Sequence, residues 1–70
     1  MIRYMVQSVA FSKRALRVSL STEGVRAWAD PDARTQIRGE VASLARSLGA
    51  VQWEITHAGG SLAAEAGGVQ

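Results

Sequence analysis

The chain's one histidine, His57, closes the alternating stretch AVQWEITH and is followed at once by Ala58, Gly59, Gly60 and Ser61. An imidazole titrates near neutrality, and Glu54 or Glu65 is near enough in sequence to orient it, so general-base chemistry is what this residue type offers. Neither a nucleophile with a partner nor a second metal ligand accompanies it. The expectation is therefore structural: a strand-end imidazole donating to a backbone carbonyl, in a protein that is not an enzyme. The AGGS segment invites comparison with phosphate-cradling loops, whose glycines let backbone N–H groups approach an anion. Such loops run from a strand into a helix and carry a lysine at a set spacing; this one has no lysine and reads as a hairpin turn.

The cations are unevenly placed. Arg3, Lys13, Arg14 and Arg17 come before any acid, whereas from Ser21 onward four arginines meet six acids, for a net charge of +2. With Tyr4 and Phe11 nearby, the first group is the raw material of a nucleic-acid surface, in which bases stack on aromatic rings beside basic side chains. Neither a ribonucleoprotein-type aromatic motif nor a helix-turn-helix pattern supports it. Arg34 and Arg38 fall at the margin of a helical apolar stripe, where the aliphatic stems can lie along the protein while the guanidinium groups reach a partner's carboxylates. Trp28, if it lies on a strand whose small residues face inward, projects from the uncovered face as an anchor for a partner; packed back toward Pro31, it would instead close over the helix entry.

The element positioning most of these residues is the segment 30–49. Asp30 is an N-cap, Pro31 stands where a missing N–H costs nothing, and Asp32 favours the positive end of the dipole. Ala33, Ile37, Val41, Leu44 and Leu48 share one face, and Gly49 closes the element, so a helix is predicted over about 31–48. Residues 2–11 read as a strand with apolar side chains on both faces, which implies a central position or a face covered by another subunit. A helical stripe through Ile2, Met5, Val6 and Val9 is the other reading of that segment. Leu16, Val18 and Leu20 alternate with Arg17, Ser19 and Ser21 as a half-buried strand. Thr22-Glu23-Gly24 then reads as a hairpin loop and Val25 to Ala29 as its returning strand. After the helix, Val51, Trp53 and Ile55 point inward along another strand, and Ser61 to Glu65 return at the edge.

The expected fold is α+β, an antiparallel sheet of four or five strands in the order β-β-β-α-β-β, with the helix packed on one face. Residues 1–66 form one small domain and 67–70 a loose tail. Seventy residues that are 47% hydrophobic and 20% charged, without cysteine, describe a folded domain with no disulfide or thiolate site. No cofactor, metal or membrane span is expected, and the cytoplasm is the default location. A domain this small gains from self-association. The function expected is a non-enzymatic protein-interaction module, acting as an accessory, adaptor or inhibitor subunit (of the phage- or plasmid-borne kind) or as a homo-oligomer. It would use Trp28, Arg17, Arg34 and Arg38 on the uncovered sheet face and its margin. The alternative is nucleic-acid binding through Arg3, Lys13, Arg14 and Arg17.

Overall fold

A computed structural model describes residues 5–66. Six elements follow one another: β1 (Val6–Ser12), β2 (Ala15–Leu20), α1 (Thr22–Trp28), α2 (Pro31–Leu48), β3 (Gln52–His57) and β4 (Gly60–Ala66). The four strands lie side by side in chain order. The outer pairs, β1 with β2 and β3 with β4, are antiparallel hairpins, but the central pair β2 with β3 is parallel. The α+β expectation holds, while the purely antiparallel sheet and the β-β-β-α-β-β order do not: the order is β-β-α-α-β-β and the sheet is mixed.

The difference has one source. Val25 to Ala29 is not a strand but belongs to α1 and its C-cap, and Thr22-Glu23-Gly24 is its first turn. Ser21 caps it, its Oγ accepting from the Gly24 N–H at 3.2 Å, with Glu23 in the first turn. A parallel pair cannot be closed by a tight turn; it needs a long crossover, which α1 and α2 together supply. Gly24 is needed here for its missing side chain, not for a positive φ. A Cβ built on it would lie 2.2 Å from the Met5 carbonyl oxygen, the atom that also accepts from the Ser21 N–H at 3.0 Å.

α2 forms as its sequence dictates. Asp30 caps it through the Asp32 N–H, and Gly49 closes it at φ 74°. The Ala50 N–H reaches back to the Ala45 carbonyl at 2.8 Å and the Gly49 N–H to Arg46 at 3.2 Å, the paired bonds of a glycine-terminated helix. Ile37, Val41 and Ala45, spaced by fours, press onto Leu16, Val18 and Leu20 of β2 and Trp53 and Ile55 of β3. The register sets Leu16 beside Trp53 and Val18 beside Ile55, so the core is two apolar rows under one helix stripe. Val51, expected inward, precedes β3 and is exposed.

Both hairpins turn through two residues. Between β3 and β4 these are Ala58 and Gly59, with φ of 51° and 82°; between β1 and β2 they are Lys13 and Arg14, with φ of 51° and 62°. Positive φ at both central positions is the geometry that matches strand twist, and Asn-Gly is the pair it favours. Lys and Arg carry a Cβ that disfavours this region by about 1–2 kcal/mol each. The Arg14 carbonyl accepts from the Val51 N–H at 2.8 Å, and its Nε donates to Gly49 O at 3.4 Å, which ties this turn to the end of α2. Replacing Lys13-Arg14 by Asn-Gly is expected to raise stability by about 1 kcal/mol in denaturant unfolding, because the backbone bond from Val51 is retained.

Candidate interaction surface

The helices cover one face of the sheet and leave the other open. Alternation places three rows on the open face, each crossing all four strands: Ser12, Ala15, Gln52, Ala66; Ala10, Arg17, Glu54, Ala64; and Ser8, Ser19, Thr56, Ser61. Arg17 Nε lies 3.3 Å from Glu54 Oε1 in the middle row, and Ser19 Oγ shares a hydrogen bond of 3.1 Å with Thr56 Oγ1 in the last. Two shallow depressions flank Arg17, the larger about 250 Å³ and bordered by Ala15, Gln52, Glu54, Ala64 and Ala66. This face is built of short side chains, with one ion pair and one hydroxyl hydrogen bond joining β2 to β3 across it.

Trp28 is not on that face. It is the last residue of α1, half-buried against the core, with the Arg34 guanidinium 5.8 Å from its ring centre and Arg34 Nε donating to its carbonyl at 2.9 Å. The reading in which Trp28 closes over the helix entry is the one realised. The expectation that put it on a strand fails with that strand. Arg38 sits at the helix margin as expected, 5.9 Å above the Trp53 ring. Both arginines therefore lie over tryptophan faces at the boundary between helix and solvent. Trp53 itself is buried, and its indole N–H has no hydrogen-bond partner among the described residues.

The described cations of the first segment are divided between a turn and the open sheet face. Arg3 lies outside the described residues, Lys13 and Arg14 occupy the β1–β2 turn, and Arg17 faces Glu54. His57 takes the structural role expected of it: Nδ1–H donates to the Leu20 carbonyl at 2.9 Å, joining the ends of the two parallel strands. Glu54 is on the opposite face and Glu65 is paired with Trp53, four residues along β3, so neither orients the imidazole. Among the described residues, no three His, Asp or Glu side chains gather as a cation site, and no helix is long and apolar enough to cross a membrane.

The surface that sequence reasoning located only in part is the outer strand β1. Its residues from Gln7 to Ser12 are all exposed. A bulge between Val6 and Ser8 shifts the alternation, so that Val6, Val9 and Phe11 share the helix side of the sheet, opposite Leu20, Val18 and Leu16. α1 reaches only the start of β1, where Gly24 meets Met5. Beyond it, Val9 is 47% and Phe11 43% exposed. Leu48 and Val51 are also exposed, at 43% and 45%, at the end of the domain where the Lys13–Arg14 turn joins the α2–β3 connection. The apolar character of residues 2–11 was the available signal; only the strand order shows that β1 is an edge.

Among the described residues the fold is a small mixed-sheet α+β domain whose edge strands β1 and β4 are both exposed, β1 with Val9 and Phe11 and β4 with Leu62. Comparison with protein-family models, with curated proteins and with solved structures gave no match for the chain.

Proposed function

We propose that the protein is a non-enzymatic interaction module, working as an accessory, adaptor or inhibitor subunit or as a homo-oligomer, and that it engages its partner through β1. One observation carries this reading: among the described residues β1 is an edge with no strand on its outer side, has no charged or proline residue between Val6 and Ser12, and leaves Val9 and Phe11 exposed on its inner side. Edge strands exposed in this way pair with added strands unless guarded by charge, proline or a bulge. Both edges carry a bulge, at Gln7 in β1 and at Leu62 in β4, but only β4 carries a charge, Glu65, and β1 keeps the uninterrupted run from Ser8 to Ser12. Arg17 and the helix-margin arginines Arg34 and Arg38 would contribute at most a charged rim.

The test is affinity recovery from the native host with the wild-type chain and with Val9→Lys/Phe11→Lys. Both positions are exposed, so the double variant is expected to fold. A protein recovered in stoichiometric amount with the wild type should be lost with the double variant. Recovery unaffected by it but abolished by Arg17→Glu would move the contact to the open sheet face. Recovery of nucleic acid, lost with Lys13→Ala/Arg14→Ala and weakened steeply by salt, would replace this reading by the nucleic-acid one.

A further inference from the structure

We infer that the strand added to β1 is β1 of a second copy, paired antiparallel about a two-fold axis through Ala10, so that two domains share one eight-stranded sheet. This rests on the reading that β1 is the contact strand and names its occupant. An antiparallel ladder sets residues with like backbone orientation opposite each other, so a two-fold axis in it must pass through a residue and not between two. The bulge leaves Ser8 to Ser12 as the uninterrupted part of β1, and the register that pairs all five residues is centred on Ala10.

That register is self-complementary in every row. On the helix side it sets Val9 against Phe11 of the other copy, twice, pairing an aromatic with a β-branched residue, the combination that stabilises cross-strand contacts. These are two of the large apolar side chains that the fold leaves exposed. On the open side Ala10 meets Ala10 and Ser8 meets Ser12, small groups that permit close approach. Charge does not oppose it. Lys13 and Arg14 follow directly after Ser12, so the two copies' turns lie at opposite ends of the ladder, about 20 Å apart at roughly 3.4 Å per residue. That exceeds the screening length of about 8 Å in physiological salt. A five-residue ladder is smaller than a standard interface, so the dimer is expected to exchange, forming in the micromolar range. Pairing β1 with β4 instead would be heterologous, giving rings or growing polymers in place of a two-fold dimer.

The absence of cysteine permits a register-specific test. In this arrangement the two Ala10 Cα atoms are about 4.5–5.5 Å apart, within disulfide range, whereas the two Ser12 Cα atoms are about 14 Å apart along the strands. Mild oxidation of Ala10→Cys should yield a covalent dimer at least tenfold faster than oxidation of Ser12→Cys. Sedimentation of the wild type should show a reversible dimer, and Val9→Lys/Phe11→Lys should be monomeric, because each introduced ammonium faces another. Val9→Lys/Phe11→Glu should recover the dimer in a salt-sensitive form, because each lysine then faces a glutamate. Equal rates for the two cysteine variants, or a wild type that stays monomeric at millimolar concentration, would overturn the inference, as would open-ended polymers. If the wild type is monomeric but Val9→Lys/Phe11→Lys still loses a host protein, β1 remains the contact and only self-pairing fails. If neither result appears, both readings fail.

Discussion

Gly24→Ala is expected to lower the unfolding free energy by about 2 kcal/mol, while Gly39→Ala, the same exchange in the other helix, raises it by up to about 1 kcal/mol. In a helix interior alanine is preferred over glycine by roughly 1 kcal/mol, so propensity alone favours both changes. The surroundings reverse the sign at one of them. A Cβ on Gly39 meets nothing within 4 Å, but on Gly24 it would lie 2.2 Å from the Met5 carbonyl oxygen and 3.1 Å from Leu20 Cβ. Backbone cannot move aside as a side-chain tip can, so α1 must back away from β1 and the Ser21 N–H bond to Met5 is lost with it. In a domain of this size 2 kcal/mol corresponds to about 8–16 °C in Tm. Paired thermal melts followed by circular dichroism check it, and equal shifts for the two variants would show that α1 does not pack as described.

Trp53→Ala should cost about 4 kcal/mol, the range for removing a large aromatic from a core, and Trp53→Phe no more than about 1. The residue is 3% exposed, faces Leu16 across the parallel pair and lies beneath Arg38. Truncation to alanine empties the lower half of the core. Phenylalanine keeps most of the volume and removes the buried indole N–H that finds no acceptor among the described residues. Burying such a donor costs about 1–3 kcal/mol, which offsets the lost packing and the weaker cation–π contact. Urea unfolding of the three forms decides it. A Trp53→Phe variant as unstable as Trp53→Ala would mean that the N–H has an acceptor after all.

The two variants differ in how far the sequence pointed to them. Trp53 stood in an alternating run whose inward face was readable, as were Leu16, Val18 and Leu20 on β2. The helix from Pro31 to Leu48 was readable from Asp30 to Gly49, because cap, period and stop act through bonds within a few residues. Gly24 was misread. TEGVRAWA alternates as well as it repeats by threes, and a glycine beside Glu fits a hairpin loop as readily as the first turn of a short helix. A seven-residue helix has too few internal bonds to stand alone. It is held by the Ser21 cap, by Val25, Ala27 and Trp28 on the core, and by its close approach to Met5, the last of which no local pattern records.

The candidate surface divides in the same way. The apolar composition of residues 2–11 implied a central position or a face covered by another subunit; the central position fails, because β1 lies at the edge of the sheet. Which side is bare was not, since the bulge at Gln7 moves Val6 onto the face of Val9 and Phe11, and a bulge is a property of the paired strand. Trp28 shows the reverse error. Placed on a strand it would have been an exposed anchor, whereas on α1 it is packed beneath Arg34.

By itself the sequence determined the elements whose information is local: β2, β3, the return strand β4, the Ala58–Gly59 turn, and α2 with its caps. Tertiary structure decided the rest, namely the existence of α1, the parallel join of β2 to β3, and the edge position of β1. Local signals act over one or two turns of chain, whereas strand order and exposure depend on which distant segments compete for the same apolar rows. In this chain the helices take the rows of β2 and β3, and that choice leaves Val9 and Phe11 uncovered.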